Sequence, residues 1–208
     1  MNNLLKTYNF SNFEIVKGNG SYLYTADNKK LLDFSAGVAV NSLGYNHSIV
    51  KKTIQEQLKT GITHLSGSQI HLYKYKLSQL LSKESNKGDV FFSNSGAESI
   101  EAALKIARNF GSSKGRDEII AMTSSFHGRT IGALSVGSNK AYKSNIGPVP
   151  GKVKFCNFND SKNLKKLINK KTLAIIIEFI QGDGGINICS NEFAKTIREI
   201  CKKRKILL

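Results

Sequence analysis

Three short segments of this 208-residue chain carry side chains that could do chemistry together. The first is Phe91-Phe92-Ser93-Asn94-Ser95-Gly96-Ala97-Glu98, where an apolar pair runs through small residues into a helical pattern. Small residues at such a junction leave backbone N–H groups open to an anion, and the helix N-terminus adds partial positive charge. That is a phosphate cradle without a P-loop lysine or a GxGxxG fingerprint. A plain cap by Ser95 or Asn94, with Gly96 easing the turn, fits the same residues. The second segment is Ser124-Ser125-Phe126-His127-Gly128-Arg129-Thr130. Its ring, imidazole and guanidinium can stack on a planar ligand and grip a carboxylate in two places. Equally, Phe126 can be core, His127 a satisfied loop histidine and Arg129 a surface charge. The third segment, Glu178-Phe179-Ile180-Gln181-Gly182-Asp183-Gly184-Gly185, sets two carboxylates and an amide on a glycine-rich loop. It suits a polar pocket wall or a flexible turn. Gly37-Val38-Ala39-Val40-Asn41-Ser42-Leu43-Gly44 repeats the idea, with small residues around one amide.

The elements around these segments explain why they belong together. Residues 11–35 read as short strands separated by Gly18-Asn19-Gly20 and Asp27-Asn28 turns. Helical spacing follows at 48–60 and again at 69–83, where Leu72, Tyr73, Leu77, Leu80 and Leu81 share one side. From residue 88 strands alternate with helices: strands at 90–92, 118–122, 153–156 and 172–177, helices at 96–110, 161–168 and 191–203, then an apolar run at 206–208. That rhythm predicts an α/β fold, a mostly parallel sheet with helices on both faces, preceded by a small N-terminal strand and helix segment. Each candidate segment after residue 88 directly follows a strand. In a doubly wound sheet, that C-terminal edge is where ligands bind.

Composition narrows the class further. The chain is 40% hydrophobic, which is ordinary for a globular protein. No apolar run approaches the roughly 20 residues of a membrane span, and the N-terminus lacks the pattern of a secretory signal. Cys156, Cys189 and Cys201 have neither metal-ligand nor disulfide-framework spacing, so a reduced, cytoplasmic compartment and no bound metal are expected. A formal charge of +16 raises the question of an anionic partner. The excess is lysine spread along the chain beside much Asn and Ile, without a nucleic-acid-binding motif, so a solvated basic surface is the expected reading.

Taken in order, the segments resemble the class III aminotransferases of pyridoxal-phosphate fold type I. The landmarks are residues 33–44, Asn94-Ser95-Gly96-Ala97-Glu98, Ser125-Phe126-His127-Gly128-Arg129-Thr130, and Glu178 with Gln181-Gly182-Asp183-Gly184-Gly185. Within the class, the first and third look most like acetylornithine aminotransferase. The resemblance implies pyridoxal 5'-phosphate as cofactor, with Ser95, Gly96 and Ala97 at its phosphate, Phe126 stacked on its ring and His127 beside it. It implies that Arg129 receives the substrate carboxylate, that Val40 and Asn41 line the substrate pocket, and that Glu178 and Asp183 form its far wall. It places residues 1–60 in a small domain and 61–208 in the first part of a large cofactor-binding domain. The implied reaction is N-acetylornithine plus 2-oxoglutarate giving N-acetylglutamate semialdehyde plus glutamate, in arginine synthesis, by a homodimer.

The pattern has departures. Phe179 stands where the family usually has proline, Asp183 where it has glutamate, Tyr45 for a histidine and Ser48 for a proline, while residues 67–70 follow no family pattern. The Schiff-base lysine is expected beyond residue 208, so no catalytic residue is expected within this chain and the fragment alone is expected to be inactive. Ornithine, succinylornithine and 4-aminobutyrate aminotransferases are the enzymatic alternatives. A basic nucleic-acid-binding module and a non-catalytic relic of the fold are the others.

Overall fold

The structure is a computed structural model that describes residues 3, 5, 9–85 and 87–208. The chain divides into two compact units, residues 1–88 and 89–208. The junction anticipated at residues 60 and 61 falls inside the first of them.

The first unit opens with an antiparallel meander of β1 (Ile15–Asn19), β2 (Tyr22–Thr25) and β3 (Lys30–Leu32). Asn19 pairs with Tyr22, so the β1–β2 loop is Gly20-Ser21, with Gly20 at φ 55°. A positive φ at the first turn position matches the strand twist and favours glycine there. Tyr45 secures this hairpin: it exchanges backbone hydrogen bonds with Gly20 at 3.0 and 2.8 Å. Its hydroxyl donates to Asp33 Oδ2 at 2.6 Å. That bond, with the Ser35 hydroxyl, holds the Asp33 carboxyl down at about 2. Helices α1 (Ser48–Lys59) and α2 (Leu72–Glu84) follow, and neither buries a residue. The apolar side expected of α2 exists but stands open, with Leu80 at 62% exposure. Among the described residues of this unit only Thr25 is buried.

The core lies in the second unit. Its elements are α3 (Gly96–Ser112), β4 (Glu118–Met122), α4 (Ile131–Val136), β5 (Lys152–Cys156), α5 (Ser161–Leu167), β6 (Thr172–Ile175), the hairpin β7 (Ile180–Gln181) and β8 (Asn187–Ile188), and α6 (Asn191–Arg204). The main sheet has the order β5-β4-β6 and is parallel throughout. Alternation along β4 sends its side chains to opposite faces. Ile120 and Met122 join Leu164, Phe193, Ile197 and Cys201 from α5 and α6. Ile119 and Ala121 join Leu104, Ala107 and Val136 from α3 and α4. Helices therefore cover both faces, as the alternating pattern predicts. On α6 the stripe Phe193, Ile197 and Cys201 recurs every fourth residue, and each large apolar side chain buried this way contributes roughly 1.5–3 kcal/mol.

Several elements differ from the sequence reading. Residues 90–92 make no sheet ladder, because no described strand lies beside them, and Phe91 is 72% exposed. Strand β6 ends at Ile175, although Ile176 N–H still donates to Ile120 at 2.9 Å. Leu207 in the final apolar run bridges Ala174 in parallel. Helix α4 and the β7–β8 hairpin are additional. Both are too short to show a period, and α4 buries four consecutive residues, Ala133 to Val136, so no polar stripe alternates with an apolar one.

Candidate functional site

The site is built where β4 and β6 end and α3 begins. Ser95 is the N-cap of α3, its hydroxyl accepting from Glu98 N–H at 3.2 Å. The Glu98 carboxylate returns to accept from Asn94 N–H at 2.6 Å. This reciprocal capping uses side chains at either side of the turn and leaves the amides of Gly96 and Ala97 as the donors at the helix end. Nothing lies within 4 Å of where a Gly96 Cβ would stand, so that turn is open. The helix cap and the anion cradle coexist in one segment.

The Phe126–Arg129 loop closes directly on this turn. A Cβ on Gly128 would lie 2.8 Å from Ala97 Cβ and 3.1 Å from Ala97 Cα, and Gly128 adopts φ 124°. Only glycine permits both the approach and the backbone angle. Glu101 locks the loop from the next turn of α3. Its Oε1 accepts from the Thr130 hydroxyl at 2.6 Å and from Gly132 and Ala133 N–H at 2.9 and 3.2 Å. It thus supplies the N-terminal cap that α4 lacks on its own strand of chain. Those bonds, the Thr130 hydroxyl foremost, hold the Glu101 carboxyl below its ordinary range.

The third segment is tied to the second. Glu178 Oε2 accepts from Phe126 N–H at 3.0 Å. Burial pushes the Glu178 carboxyl up, and the charge of Asp183 adds to that. Gly184 packs so closely on the Ser124 carbonyl that a side chain there has no room. Gln181 is fully buried; its amide donates to Thr123 O at 2.7 Å and its carbonyl accepts from Asn187 at 3.2 Å. An amide foreseen as pocket wall therefore serves to pin two loops together.

Within this cluster Phe126 is half-buried and Arg129 exposed. The Phe126 ring meets the edge of Tyr142 at 5.9 Å between centroids. The Arg129 guanidinium lies 4.8 Å over the same Tyr142 ring. His127 is buried, and its Nε2 has no hydrogen-bond partner among the described residues. Burial lowers its pKa from the ordinary 6.5 to about 4. Between those values the folded state holds fewer protons than the unfolded, so the imidazole's contribution is full above about pH 6.5 and is lost as pH falls toward 4. Across that window wild type should lose up to ~3 kcal/mol that a His127→Asn variant does not lose, read from urea midpoints at pH 7 and 4.5.

The structure brings together Ser95, Gly96, Ala97, Phe126, His127, Arg129, Glu178 and Asp183. Val40 and Asn41 belong to the first unit, where they border a cavity of about 270 Å³ with Tyr45 and His47. The chain before them is strained: Ala36, Val38 and Ala39 all adopt positive φ, which is unusual for a β-branched residue such as Val38. Sequence reasoning missed Glu101 and Tyr142. Glu101 reads as an ordinary helix-surface carboxylate; Tyr142 stands as a lone aromatic in a lysine-rich loop, a signal that spacing alone does not single out.

The sheet of the second unit thus carries a helix start with open amides, an aromatic ring and an arginine near the ends of β4 and β6. A family profile described as class-III aminotransferase matches residues 6–208, and the chain belongs to that family. It is 41% identical to the acetylornithine aminotransferase of Clostridium acetobutylicum, a match covering 99% of this chain and 54% of the relative. It is 42% identical to the mitochondrial acetylornithine aminotransferase of Debaryomyces hansenii, covering 97% and 45%. The ornithine aminotransferase of Toxoplasma gondii, solved with partial occupancy of pyridoxal phosphate, superposes with a TM-score of 0.90 at 25% identity, over 99% of this chain and 50% of that one. The chain spans about half the length of the curated relatives it matches. Among the described residues no helix is long and apolar enough to cross a membrane.

Proposed function

We propose that these residues form the cofactor and carboxylate face of a pyridoxal 5'-phosphate-dependent acetylornithine aminotransferase, taking N-acetylornithine as amino donor and 2-oxoglutarate as acceptor. The observation that carries this reading is the seat of Gly128 on Ala97, which sets the open amides, the Phe126 ring and the Arg129 guanidinium along one edge.

The residues present fit pyridoxal phosphate. Gly96 and Ala97 amides at a helix start suit a phosphate dianion, because fixed backbone donors lose little freedom on binding. Phe126 offers a ring face, and the unpartnered, neutral His127 Nε2 offers a polar atom still to be satisfied. The bound cofactor supplies an electron sink for the substrate's α-carbon. The protein's own residues bind and orient: Arg129 takes the donor's α-carboxylate through its planar fork, and Val40 and Asn41 line the substrate pocket. Glu178 holds the Phe126 loop through one carboxylate oxygen, while its other oxygen and Asp183 make the far wall. Asp183 is one methylene shorter than glutamate and so sets a shallower wall.

The assignment of residues 1–60 to a small domain and 61–208 to a large one belongs to this proposal, as do a cytoplasmic location and homodimerisation. The open apolar sides of α1 and α2 support the last, since contiguous exposed apolar surface marks contact with further protein. The test is turnover by the complete protein carrying this chain, with 2-oxoglutarate and each donor in turn. N-acetylornithine should be preferred by at least about tenfold in kcat/KM, the least that a buried polar contact to the acyl group would confer. Equal or better turnover of ornithine or 4-aminobutyrate reassigns the donor, and no turnover with any of them overturns the reading.

A further inference from the structure

Tyr142 belongs to none of the motifs that point to the reaction, yet its ring touches two residues of one of them. The edge contact to Phe126 and the cation–π contact to Arg129 meet on one side chain. The turn that carries it is itself held. Residues Lys140–Lys143 form a single 3-10 turn whose Asn139 side chain accepts from Ala141 N–H at 2.9 Å. Ser144 closes the turn by donating to Ala141 O at 2.8 Å. Lys143, the residue after Tyr142, lies 4.8 Å over the Phe155 ring of β5 and 3.5 Å from the Ser135 carbonyl of α4. Tyr142 is therefore half-buried on an anchored support, whereas Arg129 is exposed on a loop.

A carboxylate is gripped bidentately from only a few arginine rotamers. A ring beneath the guanidinium favours the rotamers that lie flat over it and itself takes up no N–H donor. The edge of the same ring limits how far Phe126 can tilt. We infer that Tyr142 is a positioning residue that sets the phenyl facing the cofactor and the guanidinium taking the carboxylate relative to one another. This rests on the roles proposed above for Phe126 and Arg129.

The complete protein carrying this chain, loaded with pyridoxal phosphate, tests it through Tyr142→Phe, Tyr142→Leu and Arg129→Leu. Tyr142→Leu should raise KM for N-acetylornithine about tenfold and weaken cofactor retention about fivefold, as expected when an aromatic face and edge are lost. Tyr142→Phe keeps the ring and should stay within about threefold of wild type in both. A packing role alone would lower the active fraction and kcat and leave KM in place. Should leucine leave the turn unfolded, Tyr142→Met fills the space without a π face and makes the same comparison. An unchanged KM in Tyr142→Leu beside a raised KM in Arg129→Leu overturns this inference alone, and so does a phenylalanine variant as damaged as the leucine one. An unchanged KM in Arg129→Leu overturns the carboxylate role of Arg129 and this inference with it.

Discussion

Replacing Gly128 by alanine should lower stability by ~2–4 kcal/mol and weaken pyridoxal-phosphate binding at least about a hundredfold. Two costs combine. The φ of 124° is a region that L side chains rarely adopt. The new methyl would also press on Ala97 Cβ and on Ala97 Cα, which is backbone and cannot rotate aside. The second cost falls on the turn whose amides we propose for the phosphate, so cofactor affinity should suffer beyond any general loss of stability. The double variant Ala97→Gly with Gly128→Ala separates the two. Removing the Ala97 methyl should recover part of the cofactor affinity, while the backbone strain at residue 128 persists. Fluorescence titration of the complete apo protein and thermal unfolding measure both. Wild-type affinity in Gly128→Ala would show that the loop and the helix start need not touch.

Arg129→Leu should reduce kcat/KM for N-acetylornithine by about 10² to 10³, with most of the loss in KM. The range follows from losing a charge-assisted, two-point contact to a carboxylate, worth roughly 3–4 kcal/mol in a sheltered site. Arg129→Lys keeps the charge but not the fork and should fall between, at about ten- to thirtyfold. Cofactor affinity should change little in either, because Arg129 is assigned to substrate and not to phosphate. Steady-state kinetics at several donor concentrations distinguish the outcomes. A variant that loses cofactor while keeping KM would exchange the roles of this loop.

Much of this was legible in the sequence because it is local. Strand β4 is an apolar run buried on both faces, α3 and α6 carry periodic apolar residues, and Ser95 followed by Glu98 is a cap signature readable at three-residue range. The order of the landmark segments was likewise enough to suggest the family. Residues 90–92 read equally well as a strand, but a ladder needs a neighbour, and a run of apolar residues does not say whether one is there. Helix α4 escaped notice because its cap comes from Glu101, 30 residues back in the chain.

What the tertiary structure alone decided is which loops meet. The parallel order β5-β4-β6 brings the ends of β4 and β6 to one edge. There Gly128 closes on Ala97, Gly184 on Ser124, and Glu178 receives the Phe126 amide. It also converted Gln181 from pocket wall to buried clasp, and it gave Phe126 and Arg129 a common neighbour in Tyr142. The physical reason is one of range. Caps and periodic faces are settled by torsions and hydrogen bonds within a few residues, whereas contacts between residues 97 and 128, or 126 and 178, form only once side chains on both sheet faces are buried and the strand order is set.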